Sequence, residues 1–233
     1  MMISEWIHIE CIFINKWVLP IQNEINEAIK ISKIEEPTDE FYESAMAISI
    51  RIDMIIRLFR RMTEDLERLN EVVIGHKDEH VNTNDHEAYG LYVDDDLKLD
   101  LLIDIDAFLF EINSCCELLS KFIIELFKAK GQSIDQGQVG RLQARILRDS
   151  GIDASWFKQL DDSRNFFIHN GAPYIAVDVT NKPSYNLIIM KENLKVFDDL
   201  DKFLTLTTLV SIRDGFLESL PALQKYLIEF IKQ

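Results

Sequence analysis

Two long stretches of the chain place apolar residues at alternating steps of three and four. The first runs from Glu40 to Val73, and the second runs from about Asp96 to Lys130. This spacing is typical of amphipathic helices that bury one face. At 1.5 Å per residue each helix would be about 50 Å long. Two helices of matched length with a polar connection predict an antiparallel pair within a helical bundle.

Local signals mark the ends of these two helices. Thr38 follows Pro37 and is positioned to cap the first helix. Asp94, Asp95 and Asp96 lie where the dipole of the second helix favours negative charge, and Gly131 is suited to end that helix. The connection from Gly75 to Asp95 is rich in polar residues and has little periodicity, so we expect an exposed loop.

The second half of the chain changes period twice. Helices are predicted over 138–148 and 154–168, with Asp153 or Ser155 as the cap of the latter and Asn170-Gly171 as its stop. A period of two over 174–180 and 184–190 then predicts a β-hairpin. From Leu194 to Gln233 the spacing is again helical, with breaks expected at Gly215 and Pro221.

The simplest organisation is one mainly α-helical domain over residues 1–233. Its parts are an N-terminal extension (1–36, with a helix start near Pro20), a bundle core (37–170), the hairpin (174–190) and C-terminal helices (191–233). Glycine and proline total only 13 residues, which argues against a turn-rich β-sandwich.

Charge and cysteine content narrow the class of function. The formal net charge is -15, which argues against a protein that coats nucleic acid broadly but leaves room for a local basic groove. Three cysteines, two of them adjacent, favour a reducing intracellular setting. The apolar stretch from Trp6 to Ile21 contains His8, Glu10 and Lys16, so neither a signal peptide nor a membrane span is predicted. We therefore expect a cytoplasmic protein with no membrane partner.

The segment with the most chemical information reads Arg164-Asn165-Phe166-Phe167-Ile168-His169. Arginine, a polar residue, three further residues and histidine near the end of a helix resemble the active-site motif of the HEPN superfamily (higher eukaryotes and prokaryotes nucleotide-binding domains). The resemblance covers roughly 40–169 and part of the C-terminal helices. It implies a HEPN-like bundle, a homodimer, and a metal-independent endoribonuclease that acts as a toxin or defence effector on RNA.

The residue types suit that chemistry. An unperturbed imidazole titrates near pH ~6.5, so His169 can move protons in general acid–base catalysis. The Arg164 guanidinium can bind phosphate oxygens in a bidentate manner and stabilise developing charge. Asn165, four residues before His169, shares its helix face and can orient the imidazole or contact phosphate. Arg164 and His169 are five residues apart, about 140° on a regular helix, so either the helix distorts or two motifs meet across a two-fold axis.

A purely structural interpretation of this segment stays open. Arg164 would then pair with Asp161, and His169 would interact with carbonyls at the helix end. Some HEPN toxins carry a tyrosine two residues after the histidine, which a partner nucleotidyltransferase modifies. Gly171 occupies that position and Tyr174 follows three residues later, which weakens the expectation of such a partner. The resemblance still implies a cognate antitoxin or a nucleotidyltransferase as a candidate partner.

A basic stripe precedes the motif. Arg141, Arg145 and Arg148 share one helix face, and Lys158 follows them. The stripe is a candidate RNA-binding surface. The alternative is that the arginine stems pack beside apolar neighbours while their charged ends pair with acidic residues.

No cofactor or catalytic metal is predicted. The string from His76 to His80 matches the inverted zinc-protease signature, but its polar surroundings favour a solvated loop. Cys115 and Cys116 lie on the second long helix and are expected to pack in the core. The leading hypothesis is therefore a metal-independent endoribonuclease. The alternatives are a non-catalytic HEPN-like module that dimerises or binds a protein or nucleotide, and an acidic helical regulator unrelated to HEPN.

Overall fold

The computed structural model describes residues 16–75, 81–82, 89–90, 93–169, 174–178, 186–192, 194, 197–199 and 202–233. Within these ranges the protein is mainly helical, with a small antiparallel sheet of three strands. The helices are α1 (Leu19–Lys30), α2 (Asp39–Gly75), α3 (Asp95–Ala129), α4 (Gln136–Asp149), α5 (Ser155–His169) and α6 (Leu206–Lys232). The strands are β1 (Val81–Asn82), β2 (Tyr89–Gly90), β3 (Tyr174–Asp178), β4 (Asn186–Met190) and β5 (Phe203–Thr205).

The two long helices α2 and α3 are confirmed and form the most extensive helix pair. Their predicted apolar stripes are buried along most of their length, as the regular spacing requires. Two ion pairs also cross the interface: Arg51 with Glu111, and Arg61 with Asp104, where Nη2 lies 2.9 Å from Oδ1. Asp94 caps α3 by accepting a hydrogen bond from the Asp96 N–H, and Gly131 follows its end with a φ of 69°.

Part of the predicted N-terminal extension belongs to the core. Helix α1 begins beside Pro20 and packs against α6, with Ile21 and Ile25 fully buried. The Trp17 indole N–H donates to the Leu220 carbonyl (2.6 Å), which ties the start of α1 to α6. Buried apolar residues from all six described helices and from β4 and β5 form one continuous cluster.

Helices α4 and α5 are confirmed within two residues of their predicted ends, and both begin with side-chain caps. Asp135 and Gln138 form a reciprocal capping box at α4. Asp153 accepts from the Ser155 N–H (2.9 Å) at the start of α5, so Asp153 is the cap. Thr38, the residue predicted to cap α2, donates its hydroxyl hydrogen to Glu125 Oε2 at 3.4 Å.

The predicted hairpin is confirmed as β3 and β4, whose register runs from Tyr174 opposite Met190 to Asp178 opposite Asn186. The third strand, β5, pairs with the other edge of β4, so the order is β3-β4-β5. The prediction of helical structure from Leu194 onward was therefore wrong for Phe203–Thr205. Pairing with β4 decides the conformation of these three residues, and that pairing is non-local.

The predicted breaks at Gly215 and Pro221 were also wrong. Helix α6 is continuous through both positions. Buried residues on either side of Pro221 (Phe216, Leu220, Leu223 and Leu227) hold the helix against the core. Tertiary packing thus outweighs the local cost of a proline in a helix interior.

The predicted loop from Gly75 to Asp95 lies mostly outside the described residues. The structure places a short antiparallel pair there, Val81 opposite Gly90 and Asn82 opposite Tyr89. The string from His76 to His80 falls outside the described part of the chain.

Candidate functional site

The motif residues lie in the last two turns of α5. Asn165 is exposed and Arg164 is partly buried. The backbone is helical through His169, whose side chain is outside the described part of the structure. The helix ends at His169, directly before the predicted stop at Asn170-Gly171.

A continuous set of buried residues fixes the position of α5. Trp156, Leu160 and Ser163 are nearly inaccessible to solvent, and Phe166 is 7% exposed. The helix packs on α3 and α6 through this face. The opposite face is exposed to solvent and includes Lys158, Asp161, Asp162 and Asn165. The motif is therefore carried at the surface by a helix with a well-packed inner face.

The unbroken helix settles one of the two geometric alternatives. Because α5 does not distort before its end, positions 164 and 169 are about 140° apart around the axis. No distortion of the helix backbone between positions 164 and 169 is observed. Asn165 and Phe166 precede His169 by four and three residues, so these two positions neighbour position 169 on the helix surface.

The structural alternative for Arg164 is not observed. Among the ion pairs of the described residues, none joins Arg164 to Asp161 or to another carboxylate.

The basic stripe on α4 faces solvent along its whole length. Arg141, Arg145 and Arg148 are all exposed. Only Arg148 of the three has a carboxylate partner in the described structure, Asp149 at 3.3 Å, and both of those side chains are more than half exposed. The alternative in which acidic neighbours neutralise the stripe holds for Arg148 alone.

The basic stripe lies on α4 and the motif lies near the end of α5, the next helix along the chain. Arg148 lies at the end of α4, just before α5 begins, and Lys158 is exposed in the first turn of α5. Arg164 is about 9 Å further along the axis of α5 than Lys158. Both helices pack on α3 and α6. The predicted cations therefore extend over two helices and are not gathered at one point.

One cation beside the motif was missed by the sequence analysis. Lys191, directly after β4, places its Nζ 5.2 Å from the centre of the Phe166 ring, within cation–π range. Its backbone N–H donates to the Lys202 carbonyl at 3.2 Å, next to the β4–β5 pairing. Local spacing carries no signal for this contact, because it joins a residue of α5 to a residue after β4 that is distant in sequence.

Lys202, next to Lys191 in space, has a different electrostatic setting. Its Nζ lies 3.2 Å from Glu192 Oε1. The hydrogen bond and charge of Glu192 raise the pKa of Lys202 above its usual value. Lys191 has no such ion pair among the described residues.

The prediction that the cysteines pack in the core is confirmed for Cys115, which is fully buried in α3 with a free thiol. Cys116 is only partly buried. Burial raises the pKa of Cys115 to about 12, and it raises the pKa of Cys116 well above the ordinary range. Neither thiol is therefore suited to nucleophilic chemistry near neutral pH.

Two surface cavities, of about 440 and 250 Å³, lie along α1 and α2 and share Tyr42. None of the predicted site residues lines either of them. In the described ranges no group of three or more histidine, cysteine or acidic side chains is placed to hold a metal ion. No helix there is long and apolar enough to cross a membrane.

Comparison with known proteins finds no matching family model, no matching curated protein and no matching solved structure.

Proposed function

We propose that the chain is a metal-independent endoribonuclease of HEPN type, with a role as a toxin or defence effector. The observation that carries the proposal is the placement of Arg164, Asn165 and position 169 in the last two turns of one regular helix, with Asn165 exposed. Arg164 there has no carboxylate partner among the described residues. A well-packed helix is a rigid platform for a site that must hold a phosphate.

The proposed reaction uses the 2′-hydroxyl of the RNA as the nucleophile. Neutral His169 accepts the proton of that hydroxyl while its oxygen attacks the adjacent phosphorus. The bond from phosphorus to the 5′-oxygen then breaks, and the imidazolium returns the proton to the leaving 5′-oxygen. The products are a 2′,3′-cyclic phosphate and a free 5′-hydroxyl, with no net change in protons.

Arg164 has the electrostatic role in this proposal. Negative charge grows on the non-bridging oxygens of the phosphate in the transition state, and a guanidinium can hold two of them at once. Asn165 orients the imidazole or donates to the same phosphate. Since positions 164 and 169 of one helix point apart, Arg164 would act on the phosphate bound at His169 of a second copy, in a two-fold homodimer.

A second candidate function is a non-catalytic HEPN-like module that dimerises or binds a protein or nucleotide, a cognate antitoxin or a nucleotidyltransferase among them. The net charge of -15 favours it, because the chain as a whole repels RNA and only a local cluster of cations would attract it.

The two functions separate in one experiment. Purified protein is incubated with total RNA in EDTA, beside a His169→Ala variant of equal thermal stability. The endoribonuclease proposal expects fragments with cyclic phosphate ends from the wild type alone. Intact RNA in both samples favours the non-catalytic module.

A further inference from the structure

Arg164 does not lie on the side of α5 that carries position 169. Arg164 lies five residues before His169, so one chain presents these two groups to different sides of the helix. A phosphate beside His169 of an isolated chain would therefore have no guanidinium from the same helix. Lys191 is positioned to supply a cation on this side of the helix.

We propose that Lys191 is a phosphate-binding residue of the same site, supplied by the chain that supplies His169. This inference rests on the proposed function, since it names a further contact to the RNA backbone. Lys191 would donate from Nζ to a non-bridging oxygen of the phosphate, while Arg164 contributes from the second copy.

Lys191 is held against the surface of α5 near the end of that helix. Lys191 lies over the ring of Phe166, with Nζ 5.2 Å from the ring centre. Phe166 precedes His169 by three residues, and positions three apart are neighbours on a helix. The ammonium group is therefore held next to the turn that ends at His169, where Arg164 of the same chain does not reach.

The register of β3 and β4 also restricts the position of Lys191 relative to α5. The chain leaves α5 at His169 and enters β3 at Tyr174, five residues later. Tyr174 pairs with Met190, the residue directly before Lys191. A five-residue segment spans at most about 18 Å when fully extended. Chain connectivity and hydrogen bonding between strands thus limit how far Lys191 can lie from the end of α5, independently of the Phe166 contact.

The contact with Phe166 leaves the ammonium group of Lys191 charged. The face of an aromatic ring attracts an ammonium group without neutralising it. Lys191 forms no ion pair within the described ranges, whereas Lys202 beside it is paired with Glu192. Lys191 and Lys202 lie at the same end of the sheet, but only Lys202 forms an ion pair among the described residues. Lys202 therefore provides a matched control.

The test measures RNA binding separately from cleavage. A short fluorescein-labelled single-stranded RNA is titrated with the His169→Ala protein, alone and with Lys191→Gln, Lys191→Arg or Lys202→Gln, over a range of NaCl concentrations. We expect Lys191→Gln to weaken binding about tenfold. It should also lower the slope of log affinity against log salt by about 0.7, the value for one phosphate contact on a single strand. Lys191→Arg should retain affinity, because arginine also stacks on aromatic rings and binds phosphate.

Each outcome decides the inference. Equal losses in Lys191→Gln and Lys202→Gln would show a general effect of charge and would overturn it, as would the absence of RNA binding by the His169→Ala protein. Failure of the proposed function looks different: RNA binds and depends on Lys191, yet the protein with His169 intact leaves that RNA uncut.

Discussion

Gly215 of α6 lies directly against the side chain of Trp156 of α5. A Cβ atom at position 215 would be 2.8 Å from the Cβ of Trp156 and closer still to its ring atoms Cγ and Cδ1. Trp156 is 2% exposed and meets the Phe216 ring edge-on at 6.0 Å between centres. Because glycine has no side chain, position 215 allows α6 to approach closely the helix that carries the motif.

The first prediction concerns this contact. Gly215→Ala should destabilise the protein by about 1–3 kcal/mol, because the added methyl group overpacks the site and displaces Trp156. The free energy of unfolding, measured by urea titration, checks the value. Gly140→Ala is the matched control: Gly140 is also helical, but a Cβ there meets nothing within 4 Å. That variant should gain about 0.5–1 kcal/mol from lower backbone entropy in the unfolded chain. Equal effects of the two substitutions would contradict the packing role of Gly215.

Sequence patterns predicted the elements that depend on local spacing. The stripes of α2 and α3 repeat over many turns, so the hydrophobic period alone specifies them. The alternation over β3 and β4 was equally visible. Caps such as Asp94 and Asp153 were recognisable because their partners lie two residues away.

Features that depend on distant contacts were not predictable in this way. Strand β5 exists because Leu204 pairs with Ile189, and Gly215 is tolerated in α6 because it accommodates Trp156. At the candidate site the sequence identified Arg164 and Asn165 on α5, but the contact of Lys191 with Phe166 depends on the sheet. Such long-range contacts leave no local periodic signal.

The second prediction concerns pH and Asp104, which is 1% exposed between α2 and α3. Arg61 lies 2.9 Å away but outside hydrogen-bonding geometry, and neither Asp104 oxygen has a hydrogen-bond partner in the described structure. Burial raises the pKa of Asp104, and the Arg61 charge offsets this only in part. The folded state therefore binds the proton more tightly than the unfolded state, so this carboxyl lowers stability as pH rises from 3.8 through the raised pKa.

Asp104→Asn removes that titration. The stability of this variant relative to the wild type should increase as pH rises from the acidic range to neutral, as judged by urea midpoints at several pH values. Asp106→Asn, an exposed position on the same helix, should show no such trend. A constant difference between Asp104→Asn and the wild type at all pH values would contradict the raised pKa.

The third prediction concerns the reactivity of the α3 thiols. With a pKa of about 12, Cys115 has a thiolate fraction of about 10⁻⁴ at pH 8. Iodoacetamide should therefore leave Cys115 and Cys116 unmodified in the native protein and alkylate both in guanidinium chloride, as peptide mass spectrometry would show. Rapid native labelling of Cys115 would indicate that α3 is not packed as described.

The fourth prediction concerns the α4 stripe, defined by Arg141, Arg145 and Arg148. If it holds RNA, Arg141→Gln and Arg145→Gln should each lower the salt slope of binding by about 0.7. Arg148→Gln should lower it less, because Asp149 already shares that charge. Lys121→Gln, an exposed cation on α3, serves as the control. Identical slopes for all four proteins would remove the stripe from the RNA-binding surface.

The last prediction concerns the division of labour within the motif. His169→Ala should reduce RNA cleavage by about 10²–10⁴-fold, since no neighbouring group replaces a general acid–base. Arg164→Ala should cost about 10²–10³-fold, because the charge on the phosphate loses its bidentate partner. Asn165→Ala should cost less, because an orienting amide adjusts a group that is already present. Circular dichroism and molar mass in solution should match the wild type in all three variants.

The products report on the same mechanism. Cleavage should proceed in EDTA, leave 2′,3′-cyclic phosphate ends and spare DNA, which lacks the attacking 2′-hydroxyl. Mixing Arg164→Ala with His169→Ala protein should restore part of the activity, because a heterodimer then holds one site with both groups intact. No recovery on mixing would place both groups in one chain. Cleavage that persists in His169→Ala would place the chemistry outside this motif.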